Sequence, residues 1–288
     1  MGLVGICRRV TRNKRSWHGQ DKGIARARRD GVVSLSFKQR LASGERLVGT
    51  FVKTPSPIVV EVLALTDLAC LCLDAEHAPF DRVAIDACAL AARAGGMDLL
   101  VRVPSSAPEH ILNALDCGAT GVVVPHVRSA AEAREVVRKS QYGPGGRGYA
   151  GSSRAAAYTT RKMAEHLAAS AERTVVIAQI EDPEAIEAID AIAAVEGIDA
   201  LFVGRADLTV AYGTDDQDDP RVIEAVEAVC AAGRKHGRTV GMFVARVDDV
   251  PFWASRGASL FLLSSDHGFL LAGATDLVRR AGDSTHSA

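Results

Sequence analysis

The sequence predicts a single (β/α)8 barrel, and three observations carry that expectation. From about residue 36 onward, short β-branched or aliphatic runs alternate with Ala-rich amphipathic segments. Eight such strand runs occur before residue 280, and no Pro-, Gly- or Ser-rich linker divides them. Strand-then-helix alternation implies parallel strands joined by crossover helices, and eight repeats favour a closed barrel over an open doubly wound sheet. The chain of 288 residues fits this architecture as one domain. Residues 1–35 form a basic extension in this reading, residues 36–280 the barrel, and residues 281–288 a tail.

In chain order, the expected strands are Val48–Val52, Leu68–Leu73, Leu99–Val103, Gly121–Pro125, Val175–Glu181, Ala200–Gly204, Thr239–Val244 and Ser259–Leu263. Helical patterns fill the gaps, among them Phe80–Ala94, Ala107–Asp116, Pro183–Ala194 and Val222–His236. Hydrophobic residues make up 48% of the chain and the formal net charge is −1. A sizeable core is therefore expected, and bulk nucleic-acid binding is not. No apolar run reaches the roughly 18 residues needed to span a bilayer, so no membrane partner is expected.

The first 30 residues differ from the rest. Arg8, Arg9, Arg12, Lys14, Arg15, Lys22, Arg26, Arg28 and Arg29 face only Asp21 and Asp30, without the apolar centre of a secretory signal. The segment reads as a disordered extension or a start assigned too far upstream, with an arm for nucleic acid or another acidic surface as the alternative. Six cysteines (Cys7, Cys70, Cys72, Cys88, Cys117, Cys230) include no CxxC pair. Buried free thiols in a reducing cytoplasm are the expectation. Cys70 and Cys72, two apart in a strand, should share one face.

In a barrel of this kind chemistry belongs at the C-terminal ends of the strands. Polar residues fall there: Asp74, Glu76 and His77 after the second strand, Arg102 at the end of the third, Glu181 at the end of the fifth, and Asp207 after the sixth. Glu181 and Arg102 are costly to bury unless paired or metal-bound. Glu181 and Asp207 are hard oxygen donors suited to Mg2+ or Mn2+, with Co2+ also compatible. Spacing alone equally allows salt-bridged or helix-capping roles for them. His77 could act as a general base near neutral pH, oriented by Asp74, or be merely an exposed loop residue. Arg102 could bind a carboxylate or enolate oxygen, or sit in an internal ion pair.

The Gly-rich segment Gly143 to Arg154 contains neither a Walker-type GK[ST] nor GxGxxG spacing. It reads as a flexible rim loop holding Arg147 near the site. No expected strand contains a lysine, and Lys53 follows the first in a KTPSP loop. Imine catalysis is therefore disfavoured and metal-assisted enolate chemistry favoured.

Taken together, LVGTF, LDAEHAP, VRVP, ILNALDCGATGVVVPHV, YGPGGRGYA, IAQIEDPEA and FVGRADL, in this order, resemble the HpcH/HpaI family of class II pyruvate aldolases over roughly residues 36 to 275. The resemblance implies a lyase that cleaves a 4-hydroxy-2-oxo acid (a 2-keto-3-deoxy sugar acid or a hydroxy-oxo-dicarboxylate) to pyruvate and an aldehyde through a metal-stabilised enolate. It implies His77 as base, Asp74 as its orienter, and Arg102 at the keto oxygen of pyruvate. Glu181 and Asp207 match metal ligands, and Gln179 and Ala206 match positions that contact pyruvate. Asp116 matches an aspartate that acts on the histidine of a neighbouring subunit, which implies a homo-oligomer, typically a hexamer. Two positions depart from the family pattern: Arg205 stands where proline is usual, and His126 where an apolar residue is common. A CoA-thioester lyase or an oxaloacetate decarboxylase of the same superfamily is the runner-up, and a non-catalytic metabolite-binding barrel the third reading.

Overall fold

The structure is a computed structural model that describes residues 35–283. The basic extension with Cys7, and the last five residues, lie outside the described residues. Eight parallel strands close on themselves in chain order: β1 (Leu47–Val52), β2 (Cys70–Asp74), β3 (Asp98–Arg102), β4 (Gly121–Val124), β5 (Val175–Ile180), β6 (Ala200–Val203), β7 (Thr239–Val244) and β8 (Ala258–Ser265). β8 pairs back onto β1 through Leu47–Leu260 and Val48–Phe261. Each expected strand is present. The ends shift by a residue or two, and Glu181 falls just beyond the β5 ladder.

Strand alternation divides the apolar residues into two cores. Leu47, Phe51, Cys70, Cys72, Leu100, Val123, Val175, Ile177, Ala200, Phe202, Leu260 and Leu262 fill the barrel interior. The alternate residues, such as Leu71, Leu73, Val101, Val122, Ala178, Leu201 and Val240, pack outward against the helices. Cys70 and Cys72 share the inner face, as expected. Burial raises both thiols, Cys72 to about 12, so neither is a nucleophile near neutral pH. All five described cysteines are free and buried.

The N-terminal end of the barrel is plugged by the helix Phe37–Ala42. Ser36 and Gln39 form a reciprocal capping box at its start. Phe37 and Leu41 enter the interior core, and the Leu41 carbonyl accepts from the Thr239 hydroxyl. That end is thereby closed, and the open end is the one where the strands finish. The pattern Pro183–Ala194 is two short helices, Pro183–Glu187 and Ile189–Ala193, that meet at Ala188. A ψ of 6° there ends the first helix, while Ala185, Ile189 and Ile192 still reach the core. Among the described residues no helix is long and apolar enough to cross a membrane.

Candidate active site

The same alternation that fills the barrel also builds its open end. Continuing the inward rows by one step, β2 delivers Asp74 after Cys72, and β3 delivers Arg102 after Leu100. β5 delivers Gln179 and Glu181 after Ile177, and β6 delivers Gly204 after Phe202. Apolar layers thus give way to a polar one at a single level of the barrel.

Across β2 and β3, Arg102 grips the fully buried Asp74 with two contacts, Nε to Oδ1 at 3.0 Å and a terminal nitrogen to Oδ2 at 2.9 Å. Lys53 Nζ adds a second cation at 3.1 Å from Oδ2. Its backbone is fixed by Asp266, whose carboxylate accepts the N–H groups of Lys53 and Thr54 at 2.7 and 3.0 Å. Burial alone would raise the Asp74 carboxyl, but the Arg102 charge and the hydrogen bonds it accepts outweigh that and hold it below the usual value. The Arg102 guanidinium also lies 4.6 Å from the centre of the Phe51 ring.

Asp74→Asn removes half of this buried pair and leaves Arg102 and Lys53 short of a counter-charge. We expect it to cost about 3–5 kcal/mol of folding stability, read by urea denaturation. Because the folded pKa is depressed, the Asp74 contribution is present above the ordinary carboxylate value. It is lost as pH falls through the lowered one, so the gap between mutant and wild type should shrink in acid.

Asp74 positions His77 through the main chain: its Oδ1 accepts the His77 backbone N–H at 3.1 Å. The imidazole itself is exposed, and its Nε2 lies 3.7 Å from Glu76 Oε2. That same Glu76 oxygen is 3.3 Å from Arg102 Nε and makes no hydrogen bond. Burial raises the Glu76 carboxyl, and Glu181 adds to the effect.

Glu181, 3% exposed, is the centre of a second cluster. Its Oε1 accepts the His126 backbone N–H at 2.9 Å, and its Oε2 accepts from the Gln179 side-chain amide. Burial raises the Glu181 carboxyl despite these bonds, and Asp207 contributes further upward pressure. A Cβ placed on Gly204 would stand 2.7 Å from Glu181 Oε2 and 3.4 Å from Asp207 Oδ2. The two carboxylates therefore converge on a cradle that stays open because residue 204 is glycine. Among the described residues no lysine or arginine is in ion-pair contact with Glu181 or Asp207. Glu76, His126 and Glu181 each offer a ligand atom within 4.8 Å of the others. A buried Glu181 with no lysine or arginine partner, close to a second carboxylate across Gly204 and beside the buried and unbonded Gln179 Oε1, fits a divalent ion with oxygen ligands.

The barrel brings His77, Asp74, Arg102, Gln179 and Glu181 to one end, with Ala206 and Asp207 exposed on the helix Arg205–Ala211 beside them. Asp116 is not among them. It closes the helix Pro108–Asp116, which runs back from the end of β3 to the start of β4, and so lies at the opposite end of the barrel. There it is buried against Arg147. Arg147 is accordingly not at the rim of this chain's own site, where the Gly-rich loop was expected to hold it. Lys53 and Gly204 were missed by sequence reasoning. The only signal for Lys53 was its place one residue after β1, and for Gly204 its place on the inward row of β6.

The sequence profile of the HpcH/HpaI aldolase/citrate lyase family matches residues 47–272, from the first residue of β1 to beyond β8. The chain belongs to the HpcH/HpaI aldolase/citrate lyase family. A 5-keto-4-deoxy-D-glucarate aldolase of Klebsiella pneumoniae is 33% identical over 241 residues, 83% of this chain and 93% of the relative. A hydroxypyruvate/pyruvate aldolase of Roseovarius nubinhibens is 32% identical over 232 residues, 80% of this chain and 90% of the relative. The crystal structure of an HpcH/HpaI family protein from Burkholderia cenocepacia superposes with a TM-score of 0.81 at 32% identity, covering 85% of this chain and 98% of that one. Membership of the HpcH/HpaI family thus spans the whole barrel and both residue clusters at its open end.

Proposed function

We propose that this protein is a metal-dependent aldolase that cleaves a 4-hydroxy-2-oxo acid to pyruvate and an aldehyde. The observation that carries the reading is one barrel end shared by two devices. One is the Glu181–Asp207 cradle beside Gly204, and the other is the Asp74–Arg102 pair with His77 on the adjoining loop. The two relatives named above are aldolases for oxo acids, and the Klebsiella name specifies a dicarboxylate, which supports a hydroxy-oxo-dicarboxylate or keto-deoxy sugar acid as substrate.

Glu181 and Asp207 would hold the ion, which is Mg2+, Mn2+ or Co2+ in this reading. When bound, it supplies Lewis-acid stabilisation of charge on the keto oxygen of the substrate. Arg102, fixed by Asp74 and seated over Phe51, directs its guanidinium charge to the same developing oxyanion. Gln179 and Ala206 contact the pyruvate portion. His77 accepts the proton of the hydroxyl on C4 as the C3–C4 bond breaks. The bond's electron pair passes into the pyruvate enolate, and the aldehyde leaves. Protonation of C3 then gives pyruvate.

By analogy with the family, Asp116, which lies at the far end of its own barrel, would serve the site of a second copy of the chain. The assembly we propose on that analogy is a homo-oligomer, a hexamer as in the family. The unit that folds as the barrel is residues 36–280.

The test is a pyruvate-release screen over hydroxy-oxo acids with several divalent ions. Release should require added metal and vanish with EDTA, and borohydride should trap no lysine adduct. Release that survives thorough chelation, or a trapped adduct, would overturn the reading.

A further inference from the structure

His126 stands just beyond β4, after Pro125, with its side chain half exposed. Its φ of 55° is a left-handed conformation that few side chains adopt, histidine being among the more tolerant. That turn aims both its N–H and its ring at the end of β5. The N–H bonds Glu181 Oε1. The ring Nδ1 lies 3.0 Å from Asp182 Oδ2 and 3.3 Å from Glu181 Oε1. Asp182 is in turn fixed by Arg128 Nε at 3.1 Å. A carboxylate paired with Arg128 can only accept, so Nδ1–H donates to Asp182 Oδ2 and the lone pair of the imidazole is left on Nε2. A carboxylate that fixes the ring and tautomer of a histidine is the usual outer support of a metal-ligating imidazole. The ring is half exposed and faces the cluster in which Glu76, His126 and Glu181 offer ligand atoms within 4.8 Å of one another.

We propose that His126 supplies a nitrogen ligand to the ion held by Glu181, giving this chain a mixed oxygen and nitrogen site that favours late first-row ions over Mg2+. The proposal rests on the metal-dependent reading above and deepens it. Asp182 and Arg128 are positioning residues that set the ring. Carboxylates and water suit Mg2+ and Mn2+, whereas an imidazole adds preference for Co2+, Ni2+ and Zn2+. His126 thereby decides which ions the protein retains when several compete, without altering the carboxylates.

Pulsed EPR of the full chain loaded with Mn2+ tests this without reference to turnover. The wild type should show the modulation of a directly bound 14N imidazole, and uniform 15N labelling of histidine should replace it with the 15N pattern. His126→Asn, which retains a residue tolerant of left-handed φ, should lose the modulation. By calorimetry its affinity for Co2+ should fall by about 10- to 100-fold, the range for disturbed metal shells, with Mg2+ affinity much less affected. Bound Mn2+ without nitrogen modulation overturns the proposal alone. A modulation that persists in His126→Asn, assigning it to another histidine such as His77, also overturns it. Equal losses for Co2+ and Mg2+ remove the claimed selectivity. A wild-type protein that binds no ion overturns the metal-dependent reading together with this one.

Discussion

Glu181→Gln should abolish the response of the protein to divalent ions and lower pyruvate release by about three orders of magnitude. Lewis-acid stabilisation is worth several kcal/mol, and each 1.4 kcal/mol is about a factor of ten in rate. The variant should nonetheless fold. The Gln179 amide donates to Glu181 Oε2 while its own Oε1 is buried and unbonded. A flip of that amide would turn Oε1 toward the new NH2 group, so the substitution leaves no donor facing a donor.

Stability should move in the opposite direction from activity. Burial raises the Glu181 carboxyl in the folded state. A raised pKa means stability that is complete below the unfolded value and lost as pH rises through the folded one. At neutral pH the metal-free wild type carries that loss, and the neutral amide removes it. The metal-free variant should melt at or above the wild-type temperature. Added Mn2+ should stabilise only the wild type, because an ion that binds the folded state alone shifts melting by mass action. An undiminished Mn2+ shift in Glu181→Gln would remove Glu181 from the metal site, whatever the fate of activity.

The strands were legible because each is a short apolar run with a period of two, and that period also foretold which polar residues point inward. Asp74, Arg102, Gln179 and Glu181 follow Cys72, Leu100 and Ile177 on the inner face, so a local pattern sufficed to mark them. Periodicity does not say which strand ends touch. Asp74 and Arg102 are 28 residues apart in the chain, and His126 and Glu181 are 55 apart. Their pairing is a property of barrel closure and register. Lys53 is indeed a loop residue after β1, but its contacts were not legible for the same reason. Its partner is on β2, and its anchor, Asp266, lies 213 residues away. Arg147 was placed at the rim because a Gly-rich loop carries no signal of direction, whereas the buried contact with Asp116 holds it at the other end. The break at Ala188 was hidden because the apolar spacing of Ala185, Ile189 and Ile192 continues through it.

His77→Ala should separate base catalysis from metal binding. General-base catalysis by a positioned side chain is typically worth about 10²- to 10⁴-fold, and kcat for cleavage should fall by that order. The fold has little to lose. The imidazole is exposed, with its side chain 56% accessible. The Asp74 carboxylate grips the residue through its backbone N–H, which alanine retains. Stability should therefore stay within about 0.5 kcal/mol of wild type, as for surface substitutions away from special features. Mn2+ should still raise the melting temperature, since Glu181 and the Gly204 cradle are untouched. The pairing of lost turnover with a retained metal response is the signature that distinguishes His77 from Glu181. If His77→Ala cleaves within about threefold of wild type, the proton goes elsewhere. Glu76 would then be the next group to examine, because its Oε2 is buried beside Arg102 without a hydrogen bond and its carboxyl is already raised by burial. If turnover and the metal response fall together, the loop after β2 acts on the ion's site, and His77 is a support for that site.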